Sequence, residues 1–235
     1  MDITYKDLII LYEDNHLLVV VKPQGVPCCP DSSNQPNLLD MLKKYLIEKY
    51  NKPGDAYLGL VHRLDQPTGG VMVYAKSSKA ARRLSDNLKG RTIEKRYFAI
   101  TSPRPKNKQG LLKNALYKDN NKNMVYCVPI ATTGAKVAEL EYRVLEECED
   151  MALVDINLIT GRAHQARAQM AHIGAPIYGD KKYGGINKSA LALWAVELRF
   201  PHPITKDIMV FRVHPPTDEN PWINFDIESK LAIIK

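Results

Sequence analysis

The chain has 235 residues, and its 33 Lys and Arg residues exceed its 26 Asp and Glu residues, which gives a net charge of +7. Hydrophobic residues make up 45% and charged residues 25% of the chain, values that argue against a disordered or fibrous protein. The longest apolar runs, Leu17–Val21 and Ala190–Val196, are too short to cross a bilayer, so we expect no transmembrane protein.

The predicted elements mix strands and helices, and several strands are neighbours in the sequence. In chain order they are a buried strand at Leu17–Val21, an amphipathic helix over roughly 37–50, a strand at Val71–Ala75, a helix capped by Ser77 or Ser78 and closed by Gly90, a strand at Tyr97–Ile100, two alternating strands at Ala138–Leu145 and Ala152–Ile159, and a helix at Ala163–Ile173. This order favours an α+β fold, with a large mixed or antiparallel sheet and flanking helices, over a doubly wound parallel sheet. We expect a single domain over residues 1–235.

The cysteines and histidines indicate neither a disulfide framework nor a metal site. No C-x-x-C pair is present, and the six histidines lack metal-ligand spacing with cysteine or acidic partners. The first residues carry acids and lack the succession typical of a signal peptide. We therefore predict a cytoplasmic protein without bound metal. The four cysteines are Cys28, Cys29, Cys127 and Cys148.

Basic residues are concentrated in one segment. Residues from Lys76 to Lys113 include twelve basic and two acidic side chains, a surplus of +10, whereas the segment from Glu139 to Asp155 is acidic. Such asymmetry is typical of a protein that holds a polyanion against one face. A solvated helix and loop that are simply rich in lysine would give the same pattern, so both interpretations stay open.

Common catalytic signatures are absent from the sequence. It contains no phosphate-binding loop of the form G-x-x-x-x-G-K-[ST], no G-x-G-x-x-G and no H-E-x-x-H. The block His62-Arg63-Leu64-Asp65 differs from a kinase catalytic loop because Leu and Asp are transposed and no D-F-G follows.

Three short blocks carry residue types suited to chemistry. In the first, His62–Gly70, an extended backbone would point Arg63 and Asp65 to one side and Leu64 into the core. An Asp before Pro-Thr-Gly-Gly is also a common turn former, so a purely structural role stays open. In the second, Lys95-Arg96-Tyr97, the tyrosine could pack in a sheet or stack on a base while the cations hold phosphates.

The third block, residues 160–169, lies where a strand gives way to a helix. It places Arg162 and Arg167 five residues apart beside a helix N-terminus, which favours an anion there. Surface salt bridges of either arginine are the alternative.

Together these blocks resemble the RluA-type RNA pseudouridine synthases. The resemblance covers roughly residues 10–215 in the expected order, including His62–Gly70, Lys95-Arg96-Tyr97, Leu158–Arg167 and Pro176–Gly184. It implies a pseudouridine synthase catalytic domain without an appended RNA-binding domain of the S4 kind. Departures from the family pattern occur at Gly69, Ala166 and Gln169.

The resemblance also implies a mechanism and roles for single residues. Asp65 is the catalytic carboxylate, acting on the ribose either as a nucleophile at C1′ or as a base that forms a glycal. A carboxylate in a closed pocket needs a cation beside it to stay ionised, and Arg167 is the first choice and Arg162 the second. Tyr97 stacks on the target base and assists removal of the C5 proton. The residues implied to contact RNA are Arg63, Arg162, Lys95, Arg96, Arg82 and Arg83.

We therefore expect a monomeric, cofactor-free isomerase that acts on uridine in ribosomal or transfer RNA and does not bind membranes. A non-catalytic RNA-binding protein of the same fold is the alternative. A hydrolase that stops after glycosidic cleavage is a third interpretation.

Overall fold

In the computed structural model of the chain, the described residues are 3–31, 35–185 and 189–234. Within these ranges the strands are β1 (Ile9–Glu13), β2 (Leu17–Lys22), β3 (Gly59–Leu60), β4 (Gly69–Ala75), β5 (Glu94–Thr101), β6 (Gln109–Asp119), β7 (Met124–Val128), β8 (Lys136–Cys148), β9 (Met151–Leu158), β10 (Leu193–Pro201) and β11 (Ile208–Arg212). The α-helices are α1 (Leu38–Lys49), α2 (Ser78–Lys89), α3 (Gln165–His172) and α4 (Ile227–Ala232), and short 3-10 helices lie at Tyr5–Asp7 and Trp222–Asn224.

The strands belong to a mixed 11-stranded sheet with few helices, which confirms the predicted α+β class. The residues cluster into two compact units. The first comprises Met1–Ile93 and Leu198–Val213, and the second comprises Glu94–Glu197 and His214–Lys235. The assignment of residues 1–235 to one domain stays a prediction.

In the first unit, β2 lies between β1 and β4, and both pairings are antiparallel. Residues 17–20 of β2 are fully buried, as expected for a short apolar run that is covered on both faces. Helix α1 begins after Asn37, whose side chain accepts a hydrogen bond from the Asp40 amide. Helix α2 begins in the same way after Ser77, so both predicted helices are confirmed.

In the second unit, antiparallel pairings join the strands in the order β5-β9-β8-β6-β7. Alternate residues of β8, including Ala138, Leu140 and Tyr142, are buried. Helix α3 contacts β6 and β7. The Gln169 side chain of α3 donates hydrogen bonds to the Leu112 carbonyl at 3.1 Å and to the Asn114 side chain at 2.8 Å. These bonds hold the helix against the sheet.

Candidate active site

Asp65 lies in the loop between β3 and β4. Its carbonyl accepts a hydrogen bond from the Thr68 amide at 2.9 Å, which closes the turn that leads into β4. The neighbouring Leu64 is buried, whereas Arg63 is exposed and Asp65 is half-buried. The predicted alternation of this block is therefore confirmed. The backbone of Asp65 closes the turn, and Pro67 and Thr68 of the Pro-Thr-Gly-Gly sequence lie within it.

Lys22, the last residue of β2, stabilises the Asp65 loop through hydrogen bonds to its backbone. The Lys22 side chain is fully buried, and its ammonium donates hydrogen bonds to the carbonyls of Pro23 at 2.9 Å, Gln66 at 3.0 Å and Thr68 at 2.7 Å. Burial lowers the pKa of Lys22 to about 8, although the nearby Cys28 and Asp65 act in the opposite direction. From the sequence, Lys22-Pro23 is predicted only to end a strand, so the role of Lys22 in the site was missed.

Further contacts restrict the same loop. The Gly25 amide donates to the Gln66 carbonyl at 2.9 Å, and the Cys28 thiol donates to the Leu64 carbonyl at 3.1 Å. Gly25 has a φ of +80°, a backbone conformation that glycine adopts without steric cost. Burial raises the pKa of the Cys28 thiol, which keeps it protonated as a donor. The segment after β2 thus holds the loop on both sides of Asp65.

The block Lys95-Arg96-Tyr97 is divided between the two faces of β5. Because side chains alternate along a strand, Lys95 and Tyr97 share one face and Arg96 lies on the other. Tyr97 is buried and pairs in register with Ile156 of β9. Arg96 instead donates to the buried carboxylate of Asp155 at 3.1 Å. Of the two cations in this block, only Lys95 shares the face of Tyr97.

Arg167 is a buried member of a two-pronged ion pair with Asp180. Its Nε and one terminal nitrogen each lie 2.8 Å from a carboxylate oxygen of Asp180, and the two residues are 4% and 1% exposed. Asp180 also accepts hydrogen bonds from the amides of Lys182 at 3.0 Å and Tyr183 at 3.2 Å. Arg167 is therefore held in one orientation and is not a surface side chain, which makes the surface salt-bridge interpretation wrong for this residue.

The start of α3 differs from the prediction. The helix begins at Gln165 instead of Ala163, because His164 has a positive φ of 49° that no α-helical residue adopts. Arg167 accordingly lies in the first turn of the helix. The His164 ring nitrogen lies 2.8 Å from the Tyr183 hydroxyl, whose oxygen also accepts a hydrogen bond from the Val125 amide at 2.8 Å.

Arg162 is exposed, and its Nε donates to the Val137 carbonyl at 3.1 Å. The Gln165 side-chain oxygen accepts hydrogen bonds from the Arg162 amide at 3.0 Å and the Thr160 hydroxyl at 2.8 Å. A neutral amide thus occupies part of the helix N-terminus where the sequence predicted an anion. The Arg162 guanidinium itself remains at the surface.

The predicted RNA contacts on α2 have different surroundings. Arg82 is exposed, whereas Arg83 is half-buried and donates to the Pro203 carbonyl at 2.8 Å. Among the predicted cations, Arg83 and Arg96 each bind an acceptor of the protein, while Arg63 and Arg82 are exposed to solvent.

Two residues with clear structural roles, Asp180 and Tyr183, received no role from the sequence. Both lie in the block PIYGDKKYG, residues 176–184, which carried part of the family resemblance. That block was the available signal for them. Within residues 3–31, 35–185 and 189–234, no group of three or more His, Cys, Asp or Glu side chains could hold a metal ion. No helix in these ranges is long and apolar enough to span a membrane.

Comparison with solved structures finds two human proteins with a similar fold. The human protein titled RNA Pseudouridylate Synthase Domain Containing 4 superposes with a TM-score of 0.76 and 25% identity, over 92% of this chain and 90% of that one. A second human structure, RNA Pseudouridylate Synthase Domain Containing 1, matches with a TM-score of 0.73 at 22% identity, which supports the fold alone. Both matches identify the fold as that of the pseudouridylate synthase domains.

Sequence comparison identifies the family. The family described as RNA pseudouridylate synthase matches residues 16–172. The chain is 33% identical over 219 residues to the uncharacterized RNA pseudouridine synthase YhcT of Bacillus subtilis (strain 168), covering 91% of this chain and 70% of that protein. It is 32% identical over 212 residues to ribosomal large subunit pseudouridine synthase C of Vibrio vulnificus (strain CMCP6), covering 86% of this chain and 64% of that protein, just under two thirds of its length.

The chain belongs to the RNA pseudouridylate synthase family, whose reaction converts uridine in RNA to pseudouridine. The family resemblance predicted from the sequence blocks is thereby confirmed. Nothing in the comparisons favours the non-catalytic RNA-binding alternative.

Proposed function

We propose that the chain isomerises uridine in structured RNA with Asp65 as the catalytic carboxylate. The observation that carries this assignment is the buried Lys22 ammonium, which donates to the carbonyls of both Gln66 and Thr68 in the Asp65 loop. Burying an ammonium is costly, and here its hydrogen bonds hold the backbone immediately after one carboxylate. A carboxylate that must meet one ribose carbon gains from such a rigid support, because misplacement weakens catalysis steeply.

In the proposed reaction, Asp65 acts on the ribose of the target uridine. It either bonds to C1′ as the glycosidic bond breaks or removes a ribose proton to give a glycal. The detached uracil then turns and rejoins through C5, and loss of the C5 proton completes the isomerisation. Tyr97 stacks on the base, and Arg167 is the first-choice cation for keeping Asp65 ionised, with Arg162 second. The bidentate bond to Asp180 supports Arg167 in this role by fixing its orientation.

In this proposal the protein contacts the RNA through its phosphates, and the target base leaves its stack to enter the site. Base flipping costs about a few kcal/mol, least in a loop or bulge. Arg63 is proposed to fill the space left by the flipped nucleotide, because it is exposed two residues before Asp65. Arg82, Arg162 and Lys95 are proposed phosphate contacts. Arg83 and Arg96 bind acceptors of the protein, which makes them weaker candidates.

Ribosomal RNA is the favoured substrate class, because several relatives are named ribosomal large subunit pseudouridine synthases; transfer RNA is the alternative. The protein is also proposed to be monomeric and cytoplasmic. The four cysteines are free, as is usual in a reducing compartment.

Tritium release from bulk cellular RNA labelled at uridine C5 tests this function. Wild type is expected to release tritium, and Asp65→Asn, which keeps the size of the side chain, is expected to release none above background. Lys43→Met is a matched control, because Lys43 is paired with Asp55 on the surface of α1. Equal release by wild type and Asp65→Asn would contradict the assignment of Asp65. Accumulation of free uracil in place of pseudouridine would indicate the hydrolase.

A further inference from the structure

Lys95 is a half-buried lysine of the second unit whose ammonium reaches solvent and has no partner among the described residues. Burial lowers the pKa of Lys95 below its ordinary value. Among residues 3–31, 35–185 and 189–234, no hydrogen-bond acceptor or carboxylate pairs with its Nζ. By contrast, Lys113 on β6 lies 2.7 Å from Glu139. A partly desolvated ammonium that lacks an internal acceptor and still reaches solvent is available to an anion from outside the protein.

The place of the ammonium is defined by Gly161. A Cβ atom added at Gly161 would lie 2.7 Å from the Lys95 Nζ, which is too close for a carbon atom that is not bonded to it. Gly161 does not have a positive φ, so alanine there brings no left-handed backbone strain, and the contact it makes is with the mobile end of the Lys95 side chain. The missing side chain at this position is therefore what lets the Lys95 ammonium reach the turn between β9 and α3.

The polar groups of the neighbouring Arg162 bind other atoms of the protein, so an anion at this turn would be bound by the Lys95 ammonium. The Arg162 amide, which could otherwise share an anion at the turn, donates to Gln165. Arg162 directs its Nε to the Val137 carbonyl. Lys95 also shares its strand face with Tyr97, two residues further along β5, and Arg96 is on the opposite face.

We propose that Lys95, admitted by Gly161, binds a phosphodiester of the RNA strand next to the nucleotide that stacks on Tyr97. Resting on the proposed function, this inference assigns one phosphate contact to one ammonium. A lysine binds phosphate as a point charge and needs no fork-shaped acceptor, which suits a single nitrogen in a confined space. Two residues along a strand span about 7 Å, close to the spacing of neighbouring phosphates and bases in an extended strand.

The test compares wild type, Lys95→Met, Gly161→Ala and Lys43→Met. The protein is in excess over RNA labelled at uridine C5, and the half-saturating concentration is measured between 50 and 300 mM NaCl. Lys95→Met is expected to raise this concentration about tenfold or more, and to lower the slope of log K against log salt by about 0.7–0.9, the value of one phosphate contact. The rate at saturation should change less than the half-saturating concentration. Gly161→Ala should weaken binding in the same direction with the lysine still present, and Lys43→Met should match wild type.

A structural role for Lys95 makes different predictions. Since its ammonium has no internal partner to lose, Lys95→Met should have a Tm equal to or above that of wild type. A lower Tm, or a salt slope equal to that of wild type, would overturn the proposal. If wild type releases no tritium, the isomerase function fails, and the same salt series measured by filter binding of the labelled RNA still decides whether Lys95 binds a phosphate.

Discussion

Replacing Lys22 by Met removes both the buried charge and the three hydrogen bonds that hold the Asp65 loop. The carbonyls of Pro23 and Thr68 lose this donor, at about 1–3 kcal/mol per unsatisfied group, whereas the Gln66 carbonyl keeps its hydrogen bond from the Gly25 amide. In the opposite direction, burial lowers the Lys22 pKa from 10.5 to about 8, which corresponds to roughly 3 kcal/mol against the charged form at neutral pH. The variant should therefore be less stable at pH 7 by a few kcal/mol at most.

The pH dependence of the free energy of unfolding separates the effect of the Lys22 charge from the effect of the lost hydrogen bonds. Between pH 7 and pH 9.5 the unfolded chain binds more protons at Lys22 than the folded chain does, so raising the pH favours the folded wild type. Linkage with the two pKa values predicts that wild type gains about 2 kcal/mol relative to Lys22→Met over this range. The Cys28 thiol, whose pKa is raised by burial and lowered by the charge of Lys22, acts in the opposite direction in both proteins. It does so more strongly in Lys22→Met, which adds to the difference.

Urea unfolding followed by circular dichroism at several pH values measures this difference. The free energies of unfolding of the two proteins should diverge as the pH rises. Parallel curves would refute the reasoning, because they would mean that Lys22 has the same pKa in both states. Nuclear magnetic resonance of lysine labelled at Cε gives a second check in wild type alone, where one lysine should titrate near pH 8.

Two further predictions concern buried carboxylates in the two units. Asp180→Asn should leave the Arg167 guanidinium buried without its anionic partner, which destabilises the fold by about 3–5 kcal/mol and lowers the tritium-release rate. Unfolding and tritium release are measured on the same preparation. An unchanged rate would contradict the orienting role of Asp180. Glu13 lies between Lys49 and Lys76. Burial opposes its ionisation, but hydrogen bonds from both lysines and from two tyrosines lower its pKa to about 2. The stabilisation by ionised Glu13 is present above pH 4.5 and is lost as the pH falls toward 2. In Glu13→Gln the free energy of unfolding should therefore decrease less with acidification, by up to about 3 kcal/mol. A decrease as steep as that of wild type would count against this prediction.

Helices and strands with a local sequence signal, such as a capping residue or an alternating pattern, could be predicted from the sequence. Asn37 and Ser77 cap helices that also carry apolar stripes, and β8 and β9 alternate over their length, so these four elements were predictable from the sequence. In contrast, β10 was noticed only as an apolar run, because short runs buried on both faces have no period that separates strand from helix. Strand β6 was missed as well, since Leu111 is exposed and its pattern weak.

The site follows the same division. Block patterns predicted Asp65, Tyr97 and Arg167, but the residues that support them have no local signal. Lys22 binds carbonyls 44 and 46 residues further along the chain, and Asp180 lies 13 residues beyond Arg167. Their importance depends on which chain segments meet, and no short pattern encodes that.

The division of β5 into two faces also limits where related chains can differ in length. Inserting or deleting one residue within Glu94–Thr101 would exchange the faces, turning Lys95 away from Gly161 and separating Arg96 from Asp155. The turn at residues 120–123, between β6 and β7, is exposed and carries no such restriction. Insertions and deletions among relatives should therefore gather at that turn, and the length of β5 should stay constant.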